Sequence, residues 1–568
     1  MTTSNTPKNF IKVMKNHIKD MVFEAYKEAF MEGKLDKIDE FLCDIEIPKE
    51  VKNGNFSVNF AMRNAKNLRK APKQIADIIV DKIYTEGTFI EKCEVAGPGF
   101  INFYLNDEFF TDSCEKAYKM GSEFGKTDMG SGKKVNVEFI SANPTGPMHI
   151  GNARGGAIGD CLANIYKWAG YDVTKEFYVN DAGNQIEKFA VSLEGRFIQL
   201  VKGEDAIEFP EDAYQGEDIR EAMRDFIAEY GSDDYIDMES SERKKIFADY
   251  ALKKNLESLK KDTMNYGIEY DVWFRESKLH AEDKVKEVVD KLLKSGLAYE
   301  KDDAVWFLST KFGCEKDDVL IRTNGIPTYF AADIAYHINK FERGNEFLVN
   351  VWGADHHGHV ERLKGALTAL GYEGDKLHIV LMQLVRLFKD KEIYRVSKRS
   401  GKALSLNDLI DEIGRDATRF FFNLRQPSSH FDFDLDLAVS QSNENPVFYC
   451  QYAHARICSI LRLLKEENVD IEKIGDFGLL KEKEEKELME KIITFPEEIE
   501  ASVLTYDPSR ITKFAIDVSS AFHTFYNACR VKTDDEKLMK ARISLIILTK
   551  NTIKNTLDIL GVEAPESM

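Results

Sequence analysis

A histidine and an asparagine lie three residues apart at the start of a predicted helix, where they can stabilise a charged phosphate. His149 and Asn152 precede apolar residues at helical spacing that continue almost to Gly170. Residues three apart on a first helical turn point toward one spot, where the helix dipole and free N–H groups also favour an anion. Both side chains can donate hydrogen bonds to a phosphate that gains charge in a transition state. Gly151, between them, lets a flat nucleotide lie against the backbone.

A predicted strand leads into this helix. Residues 135–140 alternate in hydropathy, with Val135, Val137 and Phe139 on one face. Residues 141–147 then contain two prolines and a glycine, which exclude regular structure. A helix N-terminus after a parallel strand is a common phosphate site, although the residues alone are also compatible with an ordinary strand-to-helix loop and a polar cap.

A second stretch, farther along the chain, is suited to a triphosphate. Residues 394–402 read YRVSKRSGK, which combines small and basic residues. A loop of this composition can hold charge as it develops and then release pyrophosphate.

A third stretch is suited to an organic cation. Tyr329 and Asp333 lie four residues apart in a predicted helix and therefore share a face. A phenol and a carboxylate together match a guanidinium, which is planar, permanently charged and rich in donors. The alternative for this pair is a polar patch on a helix surface.

Three histidines follow within residues 349–359 and raise the question of a metal site. His356, His357 and His359 accompany Asp355. Adjacent histidines and histidines two apart are poorly spaced for a metal pair on a helix. We therefore expect no metal site here.

These motifs together resemble those of the arginyl-tRNA synthetases, a family of class I aminoacyl-tRNA synthetases. Residues 142–152 read ANPTGPMHIGN and are similar to the HIGH signature, with Asn152 in place of the usual final histidine. Residues 394–402 look like a KMSKS loop in which Arg395 replaces the first lysine and Lys398 keeps the second. Residues 416–419 read DATR and resemble the DALR signature that leads into helical anticodon-binding domains.

The resemblance implies ATP-dependent activation of L-arginine to arginyl-adenylate, with Mg²⁺ on the ATP phosphates, and transfer of the arginyl group to the terminal adenosine of tRNA(Arg). It implies catalytic roles for His149, Asn152 and Lys398. The residues expected to bind ATP are Pro144, Thr145, Gly146, Pro147, His149, Gly151, Asn152, Val396, Ser397, Lys398 and Arg399. The residues expected to bind arginine are Glu138, Asn143, Tyr329, Asp333 and His356.

Two further groups of residues are candidates for tRNA contact. The segment from Phe60 to Ile75 carries basic residues and no acidic residue, which suits a phosphate-binding helix face, although a merely solvated face is the alternative. Aromatic and cationic residues at 449–456 suit stacking on unpaired bases, or alternatively the packing of an amphipathic bundle helix. The predicted tRNA contacts are Arg63, Lys66, Arg69, Lys70, Tyr452, Arg456 and Met568.

The composition is that of a soluble protein with several domains. The length of 568 residues suggests several domains. The resemblance implies an α+β N-terminal domain over 1–115, a Rossmann-type parallel-sheet catalytic domain over 116–430 and an all-α anticodon-binding bundle over 431–568. Residues 190–260, acidic and helical in pattern, are expected to form an insertion. Scattered cysteines and the lack of a long apolar run predict a cytoplasmic protein without membrane contact, and we expect a monomer.

The net charge of −19 counts only weakly against nucleic acid, because binding depends on local fields. Two other classes of protein stay open at this point. A nucleotidyltransferase acting on small molecules would share the histidine site but would not need the basic N-terminal segment or the DATR-led helices. A tRNA-binding protein without catalysis would keep the end domains and lose Lys398.

We predict that Lys398→Ala lowers turnover far more than it changes arginine affinity. The ammonium group would bind charge that is greatest in the transition state, so its loss affects the reaction and not the bound ground state. Steady-state tRNA charging measures this. A raised KM for arginine with normal turnover would contradict the assigned role.

Overall fold

The computed structural model describes residues 8–48, 50–211, 213–394 and 404–568. The predicted ATP contacts at Val396, Ser397, Lys398 and Arg399 lie outside the described residues.

The N-terminal part combines helices with an antiparallel sheet. Its elements are α1 (Phe10–Met31), β1 (Ile45–Glu46), β2 (Phe56–Val58), α2 (Phe60–Leu68), α3 (Pro72–Val80), β3 (Ile90–Ala96), β4 (Phe100–Leu105) and α4 (Asp107–Met120). The strands pair in the order β1-β2-β4-β3. Asn9 caps α1 by accepting a hydrogen bond from the Lys12 backbone N–H at 3.0 Å, so the helix begins where a capping side chain is available.

The basic segment predicted as one helix is in fact two helices. Helix α2 ends at Leu68, Arg69 has left-handed backbone with φ of 50°, and α3 begins at Pro72. A proline presets the first turn of a helix and disfavours helical backbone in the residue before it, which explains the break. The basic side chains are exposed, but the prediction of a single helix was wrong.

The central part is an α/β unit built on a parallel sheet. Its elements are β5 (Lys134–Glu138), α5 (Ile150–Trp168), β6 (Asp172–Val179), α6 (Asn184–Lys202), α7 (Glu217–Tyr230), α8 (Asp233–Ile236), α9 (Ser240–Asn265), β7 (Val272–Arg275), α10 (Glu276–Ala281), α11 (Lys284–Lys294), β8 (Ala298–Lys301), β9 (Ala304–Phe307), β10 (Asp318–Ile321), α12 (Tyr329–Glu342), β11 (Phe347–Gly353), α13 (His357–Ala369) and β12 (Leu377–Met382). The five parallel strands have the order β12-β11-β5-β6-β7. The order reverses between β5 and β11, and ligands of such sheets bind in the crevice at this point.

Helices α6 to α9, between β6 and β7, form a unit with a hydrophobic core of its own. Phe189, Phe197, Met223, Phe226 and Phe247 are buried there. The antiparallel sheet of β8, β9 and β10 comes after α11 and was not foreseen from the sequence.

The remaining chain is mostly helical. Its elements are β13 (Val385–Lys389), β14 (Glu392–Ile393), α14 (Leu406–Ile413), α15 (Arg415–Phe422), β15 (Phe431–Asp434), α16 (Leu435–Val439), α17 (Pro446–Glu466), α18 (Lys483–Ile493), α19 (Phe495–Thr505), α20 (Ser509–Ala528) and α21 (Glu536–Leu560). None of the helices in the described part of the chain has both the length and the apolar surface needed to cross a bilayer. The predicted combination of an α+β unit, a Rossmann-type sheet and an all-α unit is confirmed.

A buried ionic network joins the sheet region to the C-terminal helices. Arg419 on α15 is fully buried and its guanidinium pairs with Asp160 on α5, which also accepts from Lys175 Nζ at 2.6 Å. Arg419 Nε donates to the carbonyl of Leu560 at 2.9 Å, and its Nη1 donates to that of Tyr266 at 3.0 Å. Because the cationic partners outweigh burial, the pKa of Asp160 lies below its ordinary value.

We predict that Arg419→Met destabilises the fold by about 3–5 kcal/mol, because the buried Asp160 loses a partner and two carbonyls lose their donor. The matched control is Arg415→Met, four residues earlier on α15, whose pair with Glu563 is partly exposed and is worth about 1 kcal/mol or less. Chemical denaturation followed by circular dichroism compares the two variants. Equal shifts in the denaturation midpoints of the two variants would show that the buried network contributes no more to stability than the exposed ion pair does.

Candidate active site

The loop after β5 begins with an unusual turn. Ile140 and Ser141 both have left-handed backbone, with φ of 66° and 46°. For a β-branched residue such as isoleucine this conformation costs roughly 1–2 kcal/mol. The Ser141 hydroxyl stabilises the turn, since it donates to Glu138 Oε1 at 2.9 Å and accepts from the Tyr178 backbone N–H at 3.1 Å. The predicted strand therefore stops at Glu138, two residues early, and the loop crosses the carboxyl end of the sheet.

A buried ion pair lies directly under this turn. Glu138 Oε2 accepts from Lys340 Nζ on α12 at 2.5 Å, and Lys340 also donates to Asn350 Oδ1 at 3.1 Å. All three side chains are buried. Glu138 thus uses one oxygen for Lys340 and the other for Ser141, and it does not line the cavity above. Its predicted contact with arginine stays a prediction, while the structure shows it supporting the loop.

The N-terminus of α5 carries the two side chains that are predicted to donate hydrogen bonds to a phosphate. His149 is the N-cap residue, and its backbone N–H donates to Asn152 Oδ1 at 3.1 Å. This bond uses the acceptor of the Asn152 amide and leaves the NH2 group as the part that can donate to a phosphate. The Leu406 backbone N–H donates to the Met148 carbonyl at 3.0 Å, so the start of α14 lies against the start of α5.

A cavity of about 1,020 Å³ opens at the carboxyl ends of the central strands. It brings together most of the residues predicted from sequence to bind ATP or arginine. Those along its wall are Asn143, Thr145, Gly146, Pro147, His149, Asn152, Tyr329, Asp333 and His356. Two residues predicted for ATP, Pro144 and Gly151, do not line this wall. The Pro144 carbonyl accepts from Asn255 Nδ2 at 2.8 Å.

Gly151 lines an adjoining cavity of about 300 Å³. The other residues that line this smaller cavity are mostly apolar and include Leu384, Val385, Leu387 and Ile393. A narrow space between a bare glycine and aliphatic side chains suits a flat ring.

One end of the larger cavity is anionic. Asp333 Oδ2 lies 2.6 Å from His359 Nε2, and Arg362 Nε donates to His359 Nδ1 at 2.7 Å. Because Nδ1 accepts, the neutral imidazole carries its proton on Nε2 and donates it to Asp333. Asp333 is thereby held in one orientation beside Tyr329, which lies on the same helix face as predicted.

A second carboxylate at this end was not predicted from the sequence. Glu276 is the first residue of α10, directly after β7, and it is buried at the cavity wall. Burial raises the pKa of Glu276 above its ordinary value, and the neighbouring Asp333 acts in the same direction. A bound cation would reverse both effects. The sequence feature that could have identified Glu276 is a polar residue directly after a strand. Because β7 is only four residues long, the strand was not recognised from the sequence.

The predicted tRNA contacts lie away from the cavity wall. Arg63, Lys66, Arg69 and Lys70 are exposed on α2 and the turn after it, and Met568 is exposed at the chain end. On α17, the guanidinium of Arg456 lies 4.1 Å from the ring centroid of Tyr526, and Tyr452 stacks against Phe448 and His523. These aromatic and cationic groups already pack on one another, and their predicted contact with tRNA stays a prediction.

Three family models match successive parts of the chain. The family model for the catalytic domain of class I tRNA synthetases (R) matches residues 117–426, the arginyl tRNA synthetase N terminal domain matches 12–105, and the DALR anticodon binding domain matches 450–568.

Full-length relatives agree with this division. The chain is similar to an arginine–tRNA ligase of Ruminiclostridium cellulolyticum, at 53% identity over 99% of this chain and 100% of that protein. It is 55% identical to an arginine–tRNA ligase of Caldanaerobacter subterraneus, again over 99% of this chain and 100% of the relative. In fold it resembles the arginyl-tRNA synthetase of Thermus thermophilus, with a TM-score of 0.76, 21% identity, and coverage of 98% of this chain and 100% of that one. The chain therefore belongs to the arginyl-tRNA synthetase family of class I aminoacyl-tRNA synthetases.

Proposed function

We propose that the chain activates L-arginine with ATP and transfers the arginyl group to the 3′-terminal adenosine of tRNA(Arg), and that the larger cavity is where arginine and the ATP phosphates meet. The observation that carries this proposal is the polarity of that cavity. Four carboxylates line it, and two of them, Asp333 and Glu276, lie close enough to interact and form a site for a cation. Asp408 is held by Ser405 at the start of α14, and Asp218 lies near Gly146. At the N-terminus of α5, His149 and Asn152 accompany free backbone N–H groups, which offer hydrogen bonds to an anion.

The carboxylate end suits the guanidinium of arginine. A guanidinium presents donors in a fixed fork, and paired carboxylates accept them in bidentate fashion. Asp333 is held in orientation by His359, and Tyr329 adds an aromatic face beside it. Lysine, with a compact point charge, would leave acceptors of this site unpaired, which favours arginine.

The α5 end suits the phosphates of ATP, which enters with Mg²⁺. The base would occupy the narrow space beside Gly151, and the phosphates would lie near His149 and Asn152. In the first step an arginine carboxylate oxygen forms a bond to the α-phosphorus as the bond to pyrophosphate breaks. This step needs positioning and charge stabilisation rather than a protein nucleophile. In the second step a ribose hydroxyl of tRNA attacks the arginyl carbonyl and AMP leaves.

We predict that Asp333→Asn lowers kcat/KM for arginine about 150-fold, the equivalent of about 3 kcal/mol for a lost buried charge pair. The matched control is Asp355→Asn, because Asp355 is largely exposed and is absent from the cavity wall. Steady-state charging at several arginine concentrations measures both variants. If Asp333→Asn charges arginine like the control, Asp333 does not contact the guanidinium.

The exchange of pyrophosphate into ATP tests the activation step directly. We predict that arginine-dependent exchange is near background for the protein alone and appears when tRNA(Arg) is added. Bound RNA would favour the state in which loop and cavity are assembled, a population shift driven by differential affinity. The control is tRNA with a blocked terminal adenosine, which accepts no arginine but still permits exchange.

Robust exchange without tRNA would show that the site is already assembled and would contradict the predicted dependence on RNA. Exchange driven by another amino acid and not by arginine would contradict the proposed substrate.

A further inference from the structure

Helix α9 passes from the core of the insertion to the wall of the active site. In its first half, Phe247 and Ala251 are buried in the separate core formed by α6 to α9. In its second half, Leu256, Leu259 and the C-cap residue Tyr266 are buried in the main core. One rigid helix of 26 residues therefore belongs to both units.

Three polar contacts extend from the second half of α9 to segments around the site. Asn255 Nδ2 donates to the Pro144 carbonyl at 2.8 Å, and Asp262 Oδ1 accepts from Asn407 Nδ2 on α14 at 2.7 Å. The Tyr266 hydroxyl donates to the carbonyl of Ala153 on α5 at 3.0 Å. Their spacings of seven and four residues place all three contacts on one helix face.

The bond from Asn255 reaches a segment without a helix or strand. Residues 142–147 contain a turn at 144–145, and among the residues that the structure describes the amide of Asn255 is the only side chain that donates a hydrogen bond to them. Five of these residues, Ala142, Asn143, Thr145, Gly146 and Pro147, line the larger cavity.

The bond from Asp262 holds the start of α14. This helix begins beside the N-terminus of α5, where Ser405 lies opposite His149, and both Ser405 and Asp408 line the cavity. The two bonds of α9 thus reach both segments between which the phosphates would lie.

We propose that Asn255 and Asp262 are positioning residues for ATP. Asn255 fixes the loop 141–147 and Asp262 fixes α14 through Asn407, so that one helix sets the separation of the two nucleotide-binding segments before ATP arrives. This role rests on the proposed function, in which ATP binds at the N-terminus of α5, between the loop and the start of α14. Without a holding bond only a fraction of molecules has the binding-competent arrangement, and the apparent affinity for ATP falls by that fraction.

Tests of both bonds use the full-length protein, tRNA(Arg) and steady-state charging. Asn255→Ala is expected to raise KM for ATP about fivefold to tenfold, with kcat changed less than twofold because saturating ATP restores the loop. Asn255→Gln, which keeps an amide donor, should recover at least half of the loss. The matched control is Glu257→Ala, an exposed position on the same helix, which should leave both constants unchanged.

The second bond is tested by a double-mutant cycle that does not depend on Asn255. Asp262→Ala and Asn407→Ala should each raise KM for ATP, and the double variant should be no worse than either single variant. Thermal unfolding monitors the fold of every variant.

The positioning role is wrong if Asn255→Ala matches Glu257→Ala in KM for ATP, or if the effects of Asp262→Ala and Asn407→Ala multiply. It is also wrong if KM for ATP changes only in variants with a lowered Tm. Charging of tRNA with arginine by the unaltered protein would show that the proposed function still holds in each of these cases. If the unaltered protein charges no arginine, the proposed function itself has failed.

Discussion

The left-handed turn at Ile140 and Ser141 is the constraint on which the active site depends. Two consecutive residues other than glycine adopt backbone that sterics disfavour, and such strain persists only where surrounding contacts over-determine it. Here those contacts are the Ser141 hydroxyl bonds and, under them, the buried pair of Glu138 and Lys340. The turn ends β5 early and directs the loop over the sheet toward α5. The strain is thus part of how the cavity is built.

The same cavity is supported from outside the sheet by groups that do not line it. Arg419 and Asp160 tie α15 to the middle of α5, and Arg419 also holds the last carbonyl of α21. Helix α5, which begins with His149 and Asn152, is therefore fixed at its middle by the C-terminal helices. Removal of one member of a buried ion pair leaves an uncompensated charge, which costs several kcal/mol of stability. These contacts therefore stabilise the packing of the parallel-sheet unit against the C-terminal helices.

Much of the fold and part of the site could be predicted from local sequence. The strand, loop and helix around His149 follow from hydropathy period and two prolines, and the four-residue spacing of Tyr329 and Asp333 fixed their shared helix face. Contacts between distant residues could not be predicted in this way. Glu138 meets Lys340 from 202 positions away, so its supporting role left no local pattern, and Glu276 follows a strand too short to recognise. The break at Arg69 was missed because a basic helical pattern outweighed the signal of Pro72.

The central claim is that paired carboxylates at one end of the cavity bind the guanidinium of arginine and so select arginine as the amino acid that is attached to tRNA. Charging of tRNA(Arg) with each standard amino acid in turn, together with citrulline, tests this claim most directly. Citrulline matches arginine in length but carries a neutral urea group, so it would leave Asp333 and Glu276 without a cation. The account predicts efficient charging with arginine, with lysine and citrulline near background. Charging of citrulline at a rate close to that of arginine would contradict it.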